Sequence, residues 1–148
     1  MKFLSVTLLA FAVLLTAPMA AAEDIGQVKI TSGAVHIQRG AERLPVAVGT
    51  RVRVSDTVVT GTDGSVGITF TDNTLLSAGP DSVLVLEQYA FNSTTHEGKF
   101  NARIDRGSLA VVSGKIAKQS PDAMVVKTPS SLLGVRGTEF LVKVESTE

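Results

Sequence analysis

His36 and His96 are the side chains that change charge near neutrality without help from their surroundings. A zinc site built on either would need further ligands at fixed spacing, such as a second histidine one helical turn away. Neither has such a neighbour. His36 lies at an outward position of an alternating segment, and His96 within the polar stretch 92–98, so both are expected on the solvated surface with no metal between them. Ser130 and Ser131 are no better placed for nucleophilic attack. No Gly-x-Ser-x-Gly elbow frames a serine, and neither histidine carries a partner pattern, so a loop following Pro129 accounts for the pair. Asp56, Asp63, Asp72 and Asp81 recur at intervals of 7, 9 and 9 residues, a spacing that could line carboxylates along one edge of stacked β coils to hold calcium. The glycine-rich nonapeptide of calcium-binding rolls is absent, and aspartate at β-turns is the simpler reading. Taken together, these residues point to a protein that is not an enzyme and carries no cofactor.

The elements that position these residues are strands. Valine and threonine, stiff β-branched types suited to pleated surfaces, make up 31 residues after position 22. Alternation of apolar and polar residues is plain at Val28/Ile30, Val35/Ile37, Val52/Val54, Val66/Ile68/Phe70, Phe100/Ile104 and Phe140/Val142/Val144, so each segment has one buried and one wet face. Val83 to Leu86 and Ala110 to Val112 are continuous apolar runs, expected to be covered on both sides. Turn chemistry separates the runs at Thr62-Asp63-Gly64-Ser65, Thr71-Asp72-Asn73-Thr74, Gly79-Pro80-Asp81 and Ser120-Pro121-Asp122. Lys115 to Ala123 reads as a surface loop, and no segment after Glu23 carries a helical stripe. A weak echo, Gly-x-(Val/Leu)-x-(Ile/Val), recurs at Gly26, Gly33, Gly64 and Gly107 as a glycine turn feeding a strand, too irregularly for a strict solenoid. The expected fold is a single all-β domain of about a dozen short strands, roll- or solenoid-like or a flattened sandwich.

The first 22 residues read as an export leader rather than as part of that domain. Lys2 supplies the positive start, Phe3 to Leu15 is apolar apart from Ser5 and Thr7, and Pro18 precedes the small residues Ala20-Ala21-Ala22. Cleavage is expected before Glu23, since the apolar stretch is shorter than the ~20 residues that span a bilayer. The domain then runs over residues 23–148 and is expected in the periplasm or outside the cell. Losing Lys2 with the leader leaves 13 basic residues against 14 acidic ones, a balance that offers nothing to nucleic acid or to an anionic membrane. No later apolar run is long enough to span a membrane. Zero cysteines exclude disulfide staples, so packing must stabilise the fold. The few rings are Phe70, Tyr89, Phe91, Phe100 and Phe140, and the alternation turns Phe70, Phe100 and Phe140 inward, which leaves little for stacking on sugars.

The densest information is the stretch Lys127-Thr128-Pro129-Ser130-Ser131-Leu132-Leu133-Gly134-Val135-Arg136-Gly137-Thr138-Glu139-Phe140. It resembles the signature of the FecR-like domain family: Thr-Pro, a few small or apolar residues, Val-Arg-Gly-Thr, then an alternating strand. Asp56-Thr57-Val58-Val59-Thr60-Gly61, Phe70 to Leu75 followed by Gly79-Pro80-Asp81-Ser82, and Arg106-Gly107-Ser108-Leu109 match further family segments. Asn73 stands where glycine is usual, which the turn tolerates because asparagine reaches the left-handed region. The resemblance implies a structural signature at Thr128, Pro129, Gly134, Val135, Arg136, Gly137 and Thr138. It also implies an extracytoplasmic module that takes part in signalling or envelope association by binding a protein or other envelope component. The namesake regulators add a cytoplasmic segment that engages a sigma factor. With only Met1 and Lys2 ahead of the apolar stretch, no such segment is expected here. A cell-wall or glycan-binding module is the alternative. Arg136, in an apolar neighbourhood, is expected to be partly buried and to need a carboxylate such as Asp56, Asp72 or Glu139, or several carbonyls. It would tie the last strand to earlier ones or anchor a partner, with Gly134 and Gly137 permitting close backbone approach beside it.

Overall fold

The computed structural model describes Ala17, residues 22–135 and residues 139–145. Their regular structure is almost entirely β. In chain order the strands are β1 (Asp24–Ser32), β2 (Val35–Arg39), β3 (Glu42–Pro45), β4 (Arg51–Arg53), β5 (Thr57–Thr60) and β6 (Ser65–Phe70). They continue with β7 (Leu75–Ala78), β8 (Val83–Phe91), β9 (Gly98–Val112), β10 (Met124–Lys127), β11 (Leu132–Gly134) and β12 (Glu139–Val144). One short helix, α1 (Lys115–Gln119), and a 3-10 turn (Pro121–Ala123) lie between β9 and β10.

Registers show how the strands stack. β7 and β8 run one after the other along the same edge of β9, Ala78 opposite Leu109 and Val83 opposite Arg106. β5 and β6 run along β8 and β7 in the same way, and β2 and β1 along β5 and β6. The chain is therefore a stack of bent rows, each crossing from one half of a curled half-barrel to the other at a shared corner. The bends are Gly33-Ala34, Gly61 to Gly64, Gly79 to Ser82, and Gly107. Backbone bonds link them from row to row: Gly61 N donates to Ala34 O at 2.8 Å, Asp81 N to Gly61 O at 3.0 Å and Gly79 N to Ser108 O at 3.1 Å. At two of these bends glycine is required by backbone angle as well as by space. Gly33 and Gly107 have φ of 65° and 91°, and a Cβ on either would collide with Asp63 or Ser82. The irregular glycine echo thus follows the corner at Gly33, Gly64 and Gly107. Gly26 is a different case, lying inside β1 and packed against Phe70 and Thr69 rather than at a turn.

The core lies between the two halves. Phe70 of β6 packs edge-on against Phe100 of β9 with centroids 4.6 Å apart, and Tyr89 of β8 meets Phe100 at 5.0 Å. Burial of a side chain this size contributes about 1.5–3 kcal/mol, and period-two alternation supplies such side chains from every row: Val66, Ile68 and Phe70, then Leu84 and Leu86, then Ala102, Ile104, Leu109 and Val111.

Several sequence expectations are corrected. The runs Val83–Leu86 and Ala110–Val112 are not covered on both sides: Leu84, Leu86 and Val111 enter the core, while Val83, Val85, Ala110 and Val112 stay half-exposed. Ile30 is 69% exposed because a bulge between Val28 and Ile30 shifts the register and turns it outward. Val54 falls past the end of β4, beside Ser55 at φ 72°, and is also exposed. The stretch 115–123 is not a plain surface loop, since α1 buries Ile116 and Ala117 against the core. Its single turn is too short to write a helical stripe.

Candidate interaction site

Two buried carboxylates anchor the frame. Arg39 donates from Nε and Nη2 to the two oxygens of Asp56, each at 2.8 Å, and Arg53 N adds a third bond at 2.8 Å. Asp56 is fully buried, and its carboxylate raises the Arg39 pKa, so the guanidinium stays charged. Asp72 sits in the β6–β7 turn, where Asn73 takes φ 69° as the asparagine substitution required. Its carboxylate accepts from Thr74 N at 3.1 Å, Thr74 Oγ1 at 2.7 Å, the Tyr89 hydroxyl at 3.2 Å and Ile116 N at 3.3 Å. Lys115 N donates to the Asp72 carbonyl at 2.8 Å, so this one residue caps α1 from 44 positions away. Burial pushes the Tyr89 phenol pKa upward and keeps it a neutral donor. The four regularly spaced aspartates do not act as a set. Asp56 and Asp72 turn inward to separate partners, while Asp63 and Asp81 remain exposed at their turns. Among the described residues no group of three His, Cys, Asp or Glu side chains converges.

His36 is half-buried on β2 rather than fully solvated, and burial, with Arg43 nearby, lowers its pKa. His96 takes φ 61° in the loop after β8 and stacks on Phe91 at 6.2 Å.

The carboxy-terminal signature divides. Val135 is in the core, its N–H donating to Met124 O at 3.3 Å. Thr128 and Pro129 open the turn between β10 and β11, closed by Thr128 N donating to Ser131 O at 2.8 Å. Gly134 ends β11 with nothing near the place of a Cβ, so it permits no close approach and that expectation is corrected. Arg136, Gly137 and Thr138 lie outside the described residues. Of the carboxylates considered for Arg136, Asp56 is already held by Arg39.

The Thr128–Ser131 turn faces a cleft of about 730 Å3 at the corner of the fold. Its origin is a broken row. On the edge of β9 away from β7 and β8, β10 pairs in parallel as far as Arg103, and β12 pairs antiparallel as far as Gly107. Ile104, Asp105 and Arg106 have no strand partner on that edge among the described residues. Asp105 and Arg106 form the floor of the cleft, the β10–β11 turn one wall, and the end of β12 from Val142, with Glu145 after it, the other. A row of charges on the outer sheet face fixes the floor. Glu87 of β8 accepts from Lys127 at 2.9 Å and from Arg103 at 2.7 Å, and Arg103 holds Asp105 at 2.8 Å. The hydrogen bond from Lys127, then that from Arg103, holds the Glu87 carboxyl below its ordinary range. Arg106, Lys143 and Glu145 make no ion pair among the described residues and stay available at the rim. The sequence reading named the signature but not the cleft, because Asp105 and Arg106 join it only through the register of β9.

A family model described as "FecR protein" matches residues 56–148, which takes in the corner bends from Gly61 onward, the β6–β7 turn and the whole cleft. No curated protein and no solved structure matches the chain.

Proposed function

The chain belongs to the FecR family, and we propose that it is a non-catalytic interaction module of the cell envelope whose corner cleft receives an extended segment of a partner protein. The family is one of signalling and sensing modules associated with the envelope. The observation that carries the reading is the broken row. Among the described residues, Ile104, Asp105 and Arg106 of β9 have no strand partner at the floor of the cleft, between strands that end on either side. A partner segment laid there would complete the row. Main-chain bonds would supply affinity, and Arg106, Lys143 and Glu145 at the rim would select its charges. The glycan-binding alternative wants exposed rings, and Phe70, Tyr89 and Phe100 are instead drawn together beneath the sheet.

In the same reading residues 1–22 direct export and are removed before Glu23. The first strand starts at Asp24, so that cut spares every described strand. Among the described residues no helix is long and apolar enough to cross a membrane. Intact-mass measurement of the exported protein should give a chain beginning at Glu23, and a product keeping Met1 to Ala22 would overturn the leader.

The test of binding is affinity enrichment from envelope extract with the protein as bait. Arg106→Glu and Ser130→Trp, both at exposed positions, should lose the same bound protein while their denaturation midpoints stay within about 0.5 kcal/mol of the parent. Retention of that protein by both variants would reject the cleft as the binding site.

A further inference from the structure

Four strands form the free edges of the described sheet: β3, β4, β11 and β12. Exposed edges invite pairing with another chain, and proteins blunt them by shortness, proline, charge or a bulge. Three of these four are blunted. β3 carries Pro45 with Glu42 and Arg43, β4 is three residues with arginine at both ends, and β11 is three residues ending in Gly134. β12 is not. Its six residues pair with β9 from Glu139 to Val144 with no register shift and no proline. At its centre Leu141 is 72% exposed, more than any other large hydrophobic among the described residues.

We infer that β12 is a homodimerisation edge, pairing antiparallel with β12 of a second copy about a twofold axis at Leu141. The sequence of the strand is self-complementary in that register. Leu141 meets Leu141 of the second copy on the outer face, and Glu139 meets Lys143 on the same face to each side of it. Phe140 meets Val142 on the inner face, continuing the core-facing side of both sheets. Opposite charges and apolar pairs directly across strands stabilise an antiparallel ladder, and like charges there destabilise it. Antiparallel ladders alternate bonded and non-bonded pairs, so a register centred on one residue is geometrically allowed in either phase. A one-residue slip would set Phe140 and Val142 against outward-facing positions, so the two faces fix the register. The pairing uses residues 139–143, of which Val142 and Lys143 also line the cleft, so in the dimer Arg106 and Glu145 are left to select a partner's charges; it goes beyond the cleft reading, which does not require a second copy.

Sedimentation velocity on the purified protein should show its mass rising towards twice that of one chain as concentration increases. Glu139→Lys or Lys143→Glu alone places like charges across both symmetric pairs and should weaken the dimer about tenfold. The combined Glu139→Lys/Lys143→Glu protein restores both pairs and should return to the parent value. Because the chain has no cysteine, single introduced thiols report the register directly. Leu141→Cys should oxidise to a covalent dimer, since a disulfide needs Cα atoms within about 7 Å. Leu132→Cys, on β11 and 68% exposed, should not, and neither should Glu139→Cys alone. All these positions are exposed, and an unchanged circular dichroism spectrum confirms that each variant folds. A single-chain mass at every concentration, single swaps with no effect, or Leu141→Cys oxidising no faster than Leu132→Cys would each overturn the dimer. Partner enrichment lost through Arg106→Glu without a change in mass would separate the two sites.

Discussion

Asp72 occupies a turn, as its neighbours Thr71, Asn73 and Thr74 announce, yet its larger role is to join that turn to Tyr89 and to the start of α1. Asp72→Ala strips acceptors from Thr74 N and Ile116 N in a dry site, and should cost about 3 kcal/mol in chemical denaturation. Tyr89→Phe, losing the hydroxyl alone, should cost about 1–2 kcal/mol, and Asp63→Ala, at an exposed turn, less than about 1 kcal/mol. Equal losses for Asp63 and Asp72 would contradict the network. Arg39→Ala leaves the buried Asp56 carboxylate without its counter-charge and should cost about 3–5 kcal/mol. Arg39→Lys should recover only part, since lysine lacks the fork that reaches both oxygens. Turn chemistry is local and was readable from the residues. The long-range partners were not, because Asp56 and Arg39 are 17 positions apart and Asp72 and Ile116 are 44, distances that only the row register closes.

At the scale of elements, period two marks β1, β2, β4, β6, the first part of β9 and β12, and the breakers fall between strands, while β3, β5, β7, β10 and β11 are not marked by it. What alternation cannot show is a bulge or a short cap. Ile30 and Val54 looked inward until the register shift in β1 and the early end of β4 turned them out, and α1 is a single turn. The corner is the element with the sharpest prediction. Gly107→Ala meets both a positive φ and the Ser82 side chain, so it should destabilise by more than about 2 kcal/mol. Gly40→Ala, at φ 59° with open space around it, should cost about 1 kcal/mol. Gly134→Ala has neither obstacle and should be neutral or slightly stabilising. The same order should appear in thermal melts, and a mild Gly107→Ala would mean that β9 does not bend there.

For the whole molecule, two titrations act in the same direction. The His36 pKa is lowered in the fold, so the stability that its neutral form carries is present above the unfolded value of 6.5 and is lost as pH falls below it. The Glu87 pKa is also lowered, so its contribution is present above the unfolded value of 4.5 and disappears as pH falls through its folded value. Acidification should therefore lower the denaturation midpoint in two stages, with His36→Gln flattening the first and Glu87→Gln the second. Rising stability between pH 7 and pH 5 would contradict the burial of His36. The all-β class and the family signature were legible in the sequence, because both are written in contiguous residues. The cleft was not, since among the described residues it is a gap between β10 and β12, which stop on either side of Ile104, Asp105 and Arg106. That cleft is the central claim, and site-specific photo-crosslinking in intact cells tests it most directly. A photoreactive residue at Arg106 or Ser130 should yield adducts with one and the same envelope protein, and one at Val48, 67% exposed in the loop between β3 and β4, should yield none. Adducts of equal strength from all three positions, or none from Arg106 and Ser130, would contradict it.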